Sequence, residues 1–197
     1  LGVGYAGAVV PLLAGAIQDR QAATPQGTVG GEGSTRDAQQ RKLADVEKAL
    51  GDELGTGKAY AALRAASDAL KSAASPAGHN RVVESLLELL GNATDGSNLT
   101  LDPDLDSYYV MDAATTRGPQ IMDLISRMQQ HGMAVLAGDV ARPEALQQAA
   151  DTAALLYYHH EQMRTSIGKA VQATPSLAAA LSADDALTRT QSLIDLV

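Results

Sequence analysis

PEALQQAADTAALLYYHHEQMRTSIGKAVQ, residues 143–172, decides the fold class. Leu146, Ala149, Ala153, Leu156, Tyr157, His160, Met163 and Ile167 recur at three- and four-residue spacings, which lines them along one side of a helix. Upstream, the same spacing runs through Met111, Met122, Ile125 and Met128 to about Leu136. It predicts the longest helix over Pro103 to Leu136, capped by Asp102, bent at Gly118-Pro119 and closed by Gly138-Asp139. Ser75-Pro76 reads as a helix start, with a hydroxyl for free amides followed by proline at the first helical position. From there His79, Val82, Val83, Leu86, Leu87 and Leu90 make an apolar face that Gly91-Asn92 is expected to end. Leu43, Val46, Leu50 and Leu54, then Tyr60, Leu63 and Leu70, form another stripe, interrupted at Gly55-Thr56-Gly57. Residues 1 to about 22 read as a helix carrying Pro11, Thr24–Ser34 as a flexible glycine-rich loop, and Pro175 as the start of a last helix. No stretch alternates as a strand does.

Composition agrees. Of 197 residues 36 are alanine, six tyrosines are the only aromatics, and cysteine is absent. Alanine gives helix propensity and close approach rather than bulk. The expectation is an all-α chain, an elongated antiparallel helical bundle of the four-helix type, built as one or two stacked modules. With neither an initiating methionine nor a stop pattern, residues 1–197 read as a single helical domain, a soluble piece excised at both ends from something larger. No apolar run reaches the 18 residues that a membrane span needs.

Several chemistries drop out. Without cysteine there is no disulfide, thiolate metal site or cysteine nucleophile. A net charge of −8 leaves no basic stripe for nucleic acid. No Gly-x-Ser-x-Gly occurs, and Gly27–Gly33 is not followed by the lysine of a phosphate loop. Glu84, Glu88, Glu144 and Glu161 lack a histidine three residues on, and His159 and His160 diverge by about 100° on a helix. Asp102, Asp104 and Asp106 read as a charged helix start rather than a calcium site. The expectation is no enzyme, no metal and no cofactor.

What remains is polar residues on inward stripes. Tyr109, Asp112 and Thr116, with Arg117 at the proline bend, occupy one helix; Tyr157, His160 and Arg164 occupy the next. A buried polar group needs a partner. Either these residues satisfy one another, or they line a pocket for a small molecule in which arginine grips a carboxylate.

The run Leu101-Asp102-Pro103-Asp104-Leu105-Asp106-Ser107-Tyr108-Tyr109-Val110-Met111-Asp112 resembles the extracytoplasmic helical sensor region of bacterial methyl-accepting chemotaxis receptors and sensor histidine kinases. His79, Leu86, Leu87, Asp95, Ser97 and Leu99 before it, and Pro119 with Ile121–Gly132 after it, extend the likeness. So do Tyr5, Pro11-Leu12-Leu13 and Gln18-x-Arg20, which resemble the family's first helix just after a transmembrane segment. About half the chain is covered. The resemblance implies a periplasmic domain of an inner-membrane receptor, touching the membrane only through flanking segments and pairing as a homodimer. It implies binding of an organic acid or amino acid, relayed as a helix displacement, with Arg20 as a further cationic ligand residue. The alternative is a dimerisation or partner-protein module that binds no small molecule.

Overall fold

Helix α1 runs unbroken from Gly2 to Ala22 through Pro11 and buries Tyr5, Val9, Leu12, Leu13 and Ile17. The computed structural model describes residues 1–23, 33–99, 104–138, 142–181 and 183–195. These are helical nearly throughout, and none forms a strand. The all-α expectation therefore holds. The chain divides into two compact units, Leu1–Thr100 and Leu101–Val197. Among the described residues no helix is long and apolar enough to cross a membrane.

In the first unit α1 is followed by α2 (Gly33–Leu54), α3 (Gly57–Ser72) and α4 (Pro76–Gly96). Contacts fix their directions. Tyr5 meets Glu47 and Asp19 meets Arg36, so α1 and α2 are antiparallel. Arg20 meets Asn80 while Gly2 lies against Ser97, so α1 and α4 are antiparallel too. Gly78 lies against Leu70, which turns α3 back along α4. The result is an up-down-up-down four-helix bundle. Gly96 allows a close crossing: a Cβ there would stand 2.0 Å from the Leu54 carbonyl oxygen.

Ser75 caps α4 as its sequence predicts, its Oγ accepting the Gly78 N–H at 3.0 Å. Ser75→Ala is expected to cost about 1 kcal/mol in a urea melt of the first unit, and an unchanged midpoint would contradict the cap. The expected stop at Gly91-Asn92 is not observed; α4 continues to Gly96. Leu89, Leu90, Ala93 and Thr94 are buried on both sides of that point, and their packing outweighs the roughly 1 kcal/mol that an interior glycine costs. The Gly55-Thr56-Gly57 interruption does separate two helices, with Gly55 left-handed at φ +67°.

The second unit contains α5 (Leu105–Met111), a π-helical segment (Asp112–Arg117), α6 (Gly118–Ala137), α7 (Arg142–Ala173), α8 (Leu177–Leu181) and α9 (Ala183–Ile194). Asp106 meets Thr174 and Asp112 meets Ser166, so α5 and α7 are antiparallel. The core gathers Ile121, Leu124 and Leu156, with Ile125, Met163 and Ile194 around them. The longest α-helix is α7, at 32 residues, and not the stretch expected over Pro103–Leu136. That stretch changes helix type at Asp112, before Pro119, because the proline has no N–H to donate and its ring crowds the carbonyl one turn back. A widened turn relieves both problems. Gly138 closes α6 in the left-handed conformation. The loop expected over Thr24–Ser34 lies largely outside the described residues, as do Asp102, Pro103 and Asp139; Gly33 already belongs to α2.

Candidate functional site

α1 packs on α2 and α4, and α3 packs on α4, but α2 and α3 touch each other sparsely. The side chains that face the seam are mostly polar and charged, Arg36, Asp37, Gln40 and Arg41 on α2 and Arg64, Ser67, Asp68 and Lys71 on α3. A cavity of about 640 Å³ lies there. Its apolar floor comes from Leu12, Leu43, Leu63 and Leu86, each buried in the core. Its rim carries four cations, Arg36, Arg41, Arg64 and Lys71, against three carboxylates, Asp19, Asp37 and Asp68. Half-buried Tyr60 lines it as well.

Two of these carboxylates are already engaged. Arg36 forms an ion pair with Asp19, with both side chains largely covered. Lys71 Nζ stands 3.7 Å from Asp68 Oδ1 at the exposed edge. Burial lowers the pKa of Arg36, and its Nε, buried against Gly15, has no hydrogen-bond partner among the described residues. Arg41 and Arg64 are exposed, on opposite walls, and neither pairs with a carboxylate among the described residues. A rim of this kind can hold an anion over an apolar surface.

Beneath the far end of α2 lies a different polar cluster. Tyr5 Oη donates to Glu47 Oε2 at 2.5 Å, and Thr56 Oγ1 donates to the same oxygen at 2.7 Å. Both donors have 0% of their surface exposed. Gly51 makes this possible, since a Cβ there would stand 2.6 Å from the Glu47 carboxylate. Burial first, then the hydrogen bond to Glu47, holds the Tyr5 hydroxyl far above the usual tyrosine range. Each hydroxyl of the cluster is paired, and none of its residues lines the cavity between α2 and α3, so it is structural.

The residues predicted from periodicity occupy varied settings. Arg20 lies in the first unit, 1% exposed, with its Nη1 3.4 Å from Asn80 Oδ1. In the second unit Arg117 Nε donates to both Asp112 oxygens at 3.2 Å, and Ser166 Oγ donates to Asp112 Oδ2 at 2.7 Å. Burial opposes the charge on Arg117, but the Asp112 hydrogen bond and charge, with help from Tyr158, leave its pKa raised. Tyr109 accepts from Lys169 Nζ at 3.1 Å. His160 is 2% exposed and its Nε2 donates to the Leu187 carbonyl at 3.1 Å. Thr116, Tyr157 and Arg164 face outward, Arg164 being tied to Glu161 at 2.5 Å. The π-helical segment explains Thr116: the wider turn rotates it off the face that uniform helical spacing assigns to it. Asp112, Arg117 and Ser166 thus satisfy one another.

The sequence reading missed Arg36, Arg41, Tyr60 and Arg64. A signal existed. Tyr60, Arg64, Ser67 and Lys71 follow three- and four-residue spacing on α3, as Arg36, Gln40 and Ala44 do on α2. Charged stripes of this sort read as solvated faces until the cavity beside them is known.

Among the described residues no cluster of histidine, aspartate and glutamate is arranged to hold a metal ion. No protein-family model, curated protein or solved structure matches the chain.

Acid should weaken both units. Burial lowers the pKa of His79, with Arg20 and Arg36 adding to the effect. It does the same for His131, helped by Arg127, and for His159, helped by Arg117 and opposed by Asp112. A histidine whose folded pKa is depressed contributes stability above the unfolded value, about 6.5, and loses it as pH falls through the folded value. The melting temperature is therefore expected to decline from about pH 6.5 downward, before carboxylates titrate. A flat profile between about pH 7 and pH 5 would contradict this.

Proposed function

We propose that the chain is the ligand-sensing region of a bacterial transmembrane signalling receptor, of the chemoreceptor or sensor-kinase type, working on the periplasmic side of the inner membrane. The run Leu101–Asp112 supports the class through its resemblance to such sensors. The observation that carries the sensing role is the cavity of about 640 Å³ in the first unit, within the size range of small-molecule sites. All four helices of that unit line it, α1 through Leu12, Ala16 and Asp19. A ligand seated there would bear on the packing of α1 against α2 and α4. It shifts the receptor between states only in proportion to its unequal affinity for them.

The alternative, a dimerisation or partner-binding module without a ligand, draws on the exposed Leu146, Leu155, Tyr157 and Tyr158 of α7. A thermal-shift panel of organic acids and amino acids on the full chain separates the two. Saturating ligand raises the melting temperature by mass action. If every compound leaves it unchanged while sedimentation reports a tight dimer, the module reading replaces the sensing one.

A further inference from the structure

We infer that the first-unit cavity takes a monocarboxylate with an apolar body, its carboxylate held at the rim by Arg41 and Arg64 and its body laid on Leu12, Leu43, Leu63 and Leu86. This deepens the sensing reading and rests on it. The floor argues for an apolar body. Its four leucines come from the core of the bundle, and the space above them, about 640 Å³, exceeds what a two- or three-carbon acid fills. A ligand that covers this surface gains about 25 cal/mol for each Å² of apolar area removed from water.

The rim argues for one negative charge. The chain carries a net −8, yet the cavity gathers four cations against three carboxylates. Asp19 is taken by Arg36 and Asp68 lies beside Lys71. Arg41 on α2 and Arg64 on α3 form no ion pair among the described residues, although Asp37 and Asp68 stand one helical turn from them. A guanidinium presents two parallel N–H groups that match a carboxylate, and two such groups on facing walls let one anion bridge the open seam.

The same geometry disfavours other ligands. A second carboxylate, as in a dicarboxylic acid, would lie on the leucine floor without a partner, which is costly for a charge. The ammonium of an α-amino acid, one carbon from its carboxylate, would stand beside the guanidinium groups that hold that carboxylate, on a rim where cations outnumber carboxylates.

Isothermal titration of the full chain with four probes tests this. They are 3-phenylpropionate, its uncharged amide, phenylalanine and succinate. The expected result is binding of 3-phenylpropionate at least about tenfold tighter than of the other three. Arg41→Gln and Arg64→Gln should each weaken it about tenfold, the scale of a lost charged hydrogen bond. Lys58→Gln, on α3 outside the lining, should leave it unchanged. Both arginines are exposed, so unaltered circular dichroism and melting will show that the variants fold. Tighter binding of phenylalanine or succinate would overturn the ligand class and leave the sensing reading standing. Binding of 3-phenylpropionate that ignores both arginine substitutions would overturn the placement. No binding of these probes, together with a silent thermal-shift panel, would remove the sensing reading and this inference with it.

Discussion

Glu47→Ala is expected to destabilise the first unit by about 3 kcal/mol, a large part of the 5–15 kcal/mol that holds a domain together. Glu47 Oε2 accepts from two hydroxyls, Tyr5 at 2.5 Å and Thr56 at 2.7 Å, and both are sealed from water. Removing the acceptor leaves the Tyr5 hydroxyl with the neighbouring Thr56 hydroxyl alone. Thr56 falls back on the Gly51 carbonyl, 3.4 Å away, a poor substitute. Each buried donor left unpaired costs roughly 1–3 kcal/mol. For a unit of this size each kcal/mol is worth roughly 4–8 °C in melting temperature, so the variant should melt at least about 10 °C lower.

The mechanism has its own signature. In a Tyr5→Phe background the stranded hydroxyl is gone, and Glu47→Ala should cost about half as much. Equal costs in both backgrounds would mean that the pair is uncoupled. The alkaline limb provides a second check. The folded chain keeps the Tyr5 proton to a higher pH than the unfolded chain does. That stability is fully present below about pH 10 and is lost as pH rises through the folded value. Tyr5→Phe should flatten the limb.

This cluster also shows where sequence reading reaches its limit. Tyr5 and Thr56 are local facts of the chain, one on an apolar helix and one in a glycine-flanked turn. Nothing in their spacing pairs them with Glu47, because that pairing depends on how α1 crosses α2. Helix starts and stops were legible where they depend on a backbone rule: Ser75-Pro76 opens α4 and Gly138 closes α6 as expected. Gly91-Asn92 misled because a stop signal is worth less than the packing of Leu89, Leu90 and Ala93 around it. The bundle was legible for a similar reason, since helical periodicity is a property of each segment alone. The cavity was not. It lies where α2 and α3 touch sparsely, and a seam belongs to two helices at once.

Asp112→Ala is expected to cost about 2–3 kcal/mol in the second unit, and the reason begins at Pro119. That proline forces the helix to widen over Asp112–Arg117, and a widened turn leaves backbone groups without their usual partners. Thr115 relieves one of them, donating its hydroxyl to the Met111 carbonyl at 2.9 Å. Asp112 then ties the widened turn across to α7. It accepts Arg117 Nε through both oxygens at 3.2 Å and the buried Ser166 hydroxyl at 2.7 Å, while the Arg117 guanidinium sits 5.9 Å from the centre of the Tyr158 ring. Alanine at 112 removes the acceptor for both, leaving the buried Ser166 hydroxyl unpaired and the largely covered Arg117 guanidinium with Tyr158 in place of its carboxylate. Asp112→Asn keeps one oxygen for Ser166 and should recover roughly half the loss. Hydrogen exchange should find the loss in amides of α5, the π-helical segment and the facing part of α7. If Asp112 instead belonged to a ligand site, as its spacing first suggested, its removal would weaken ligand binding and leave exchange unchanged. The self-satisfied triad of Asp112, Arg117 and Ser166 leads to the opposite expectation: exchange accelerates, and 3-phenylpropionate binds the variant as tightly as it binds the parent.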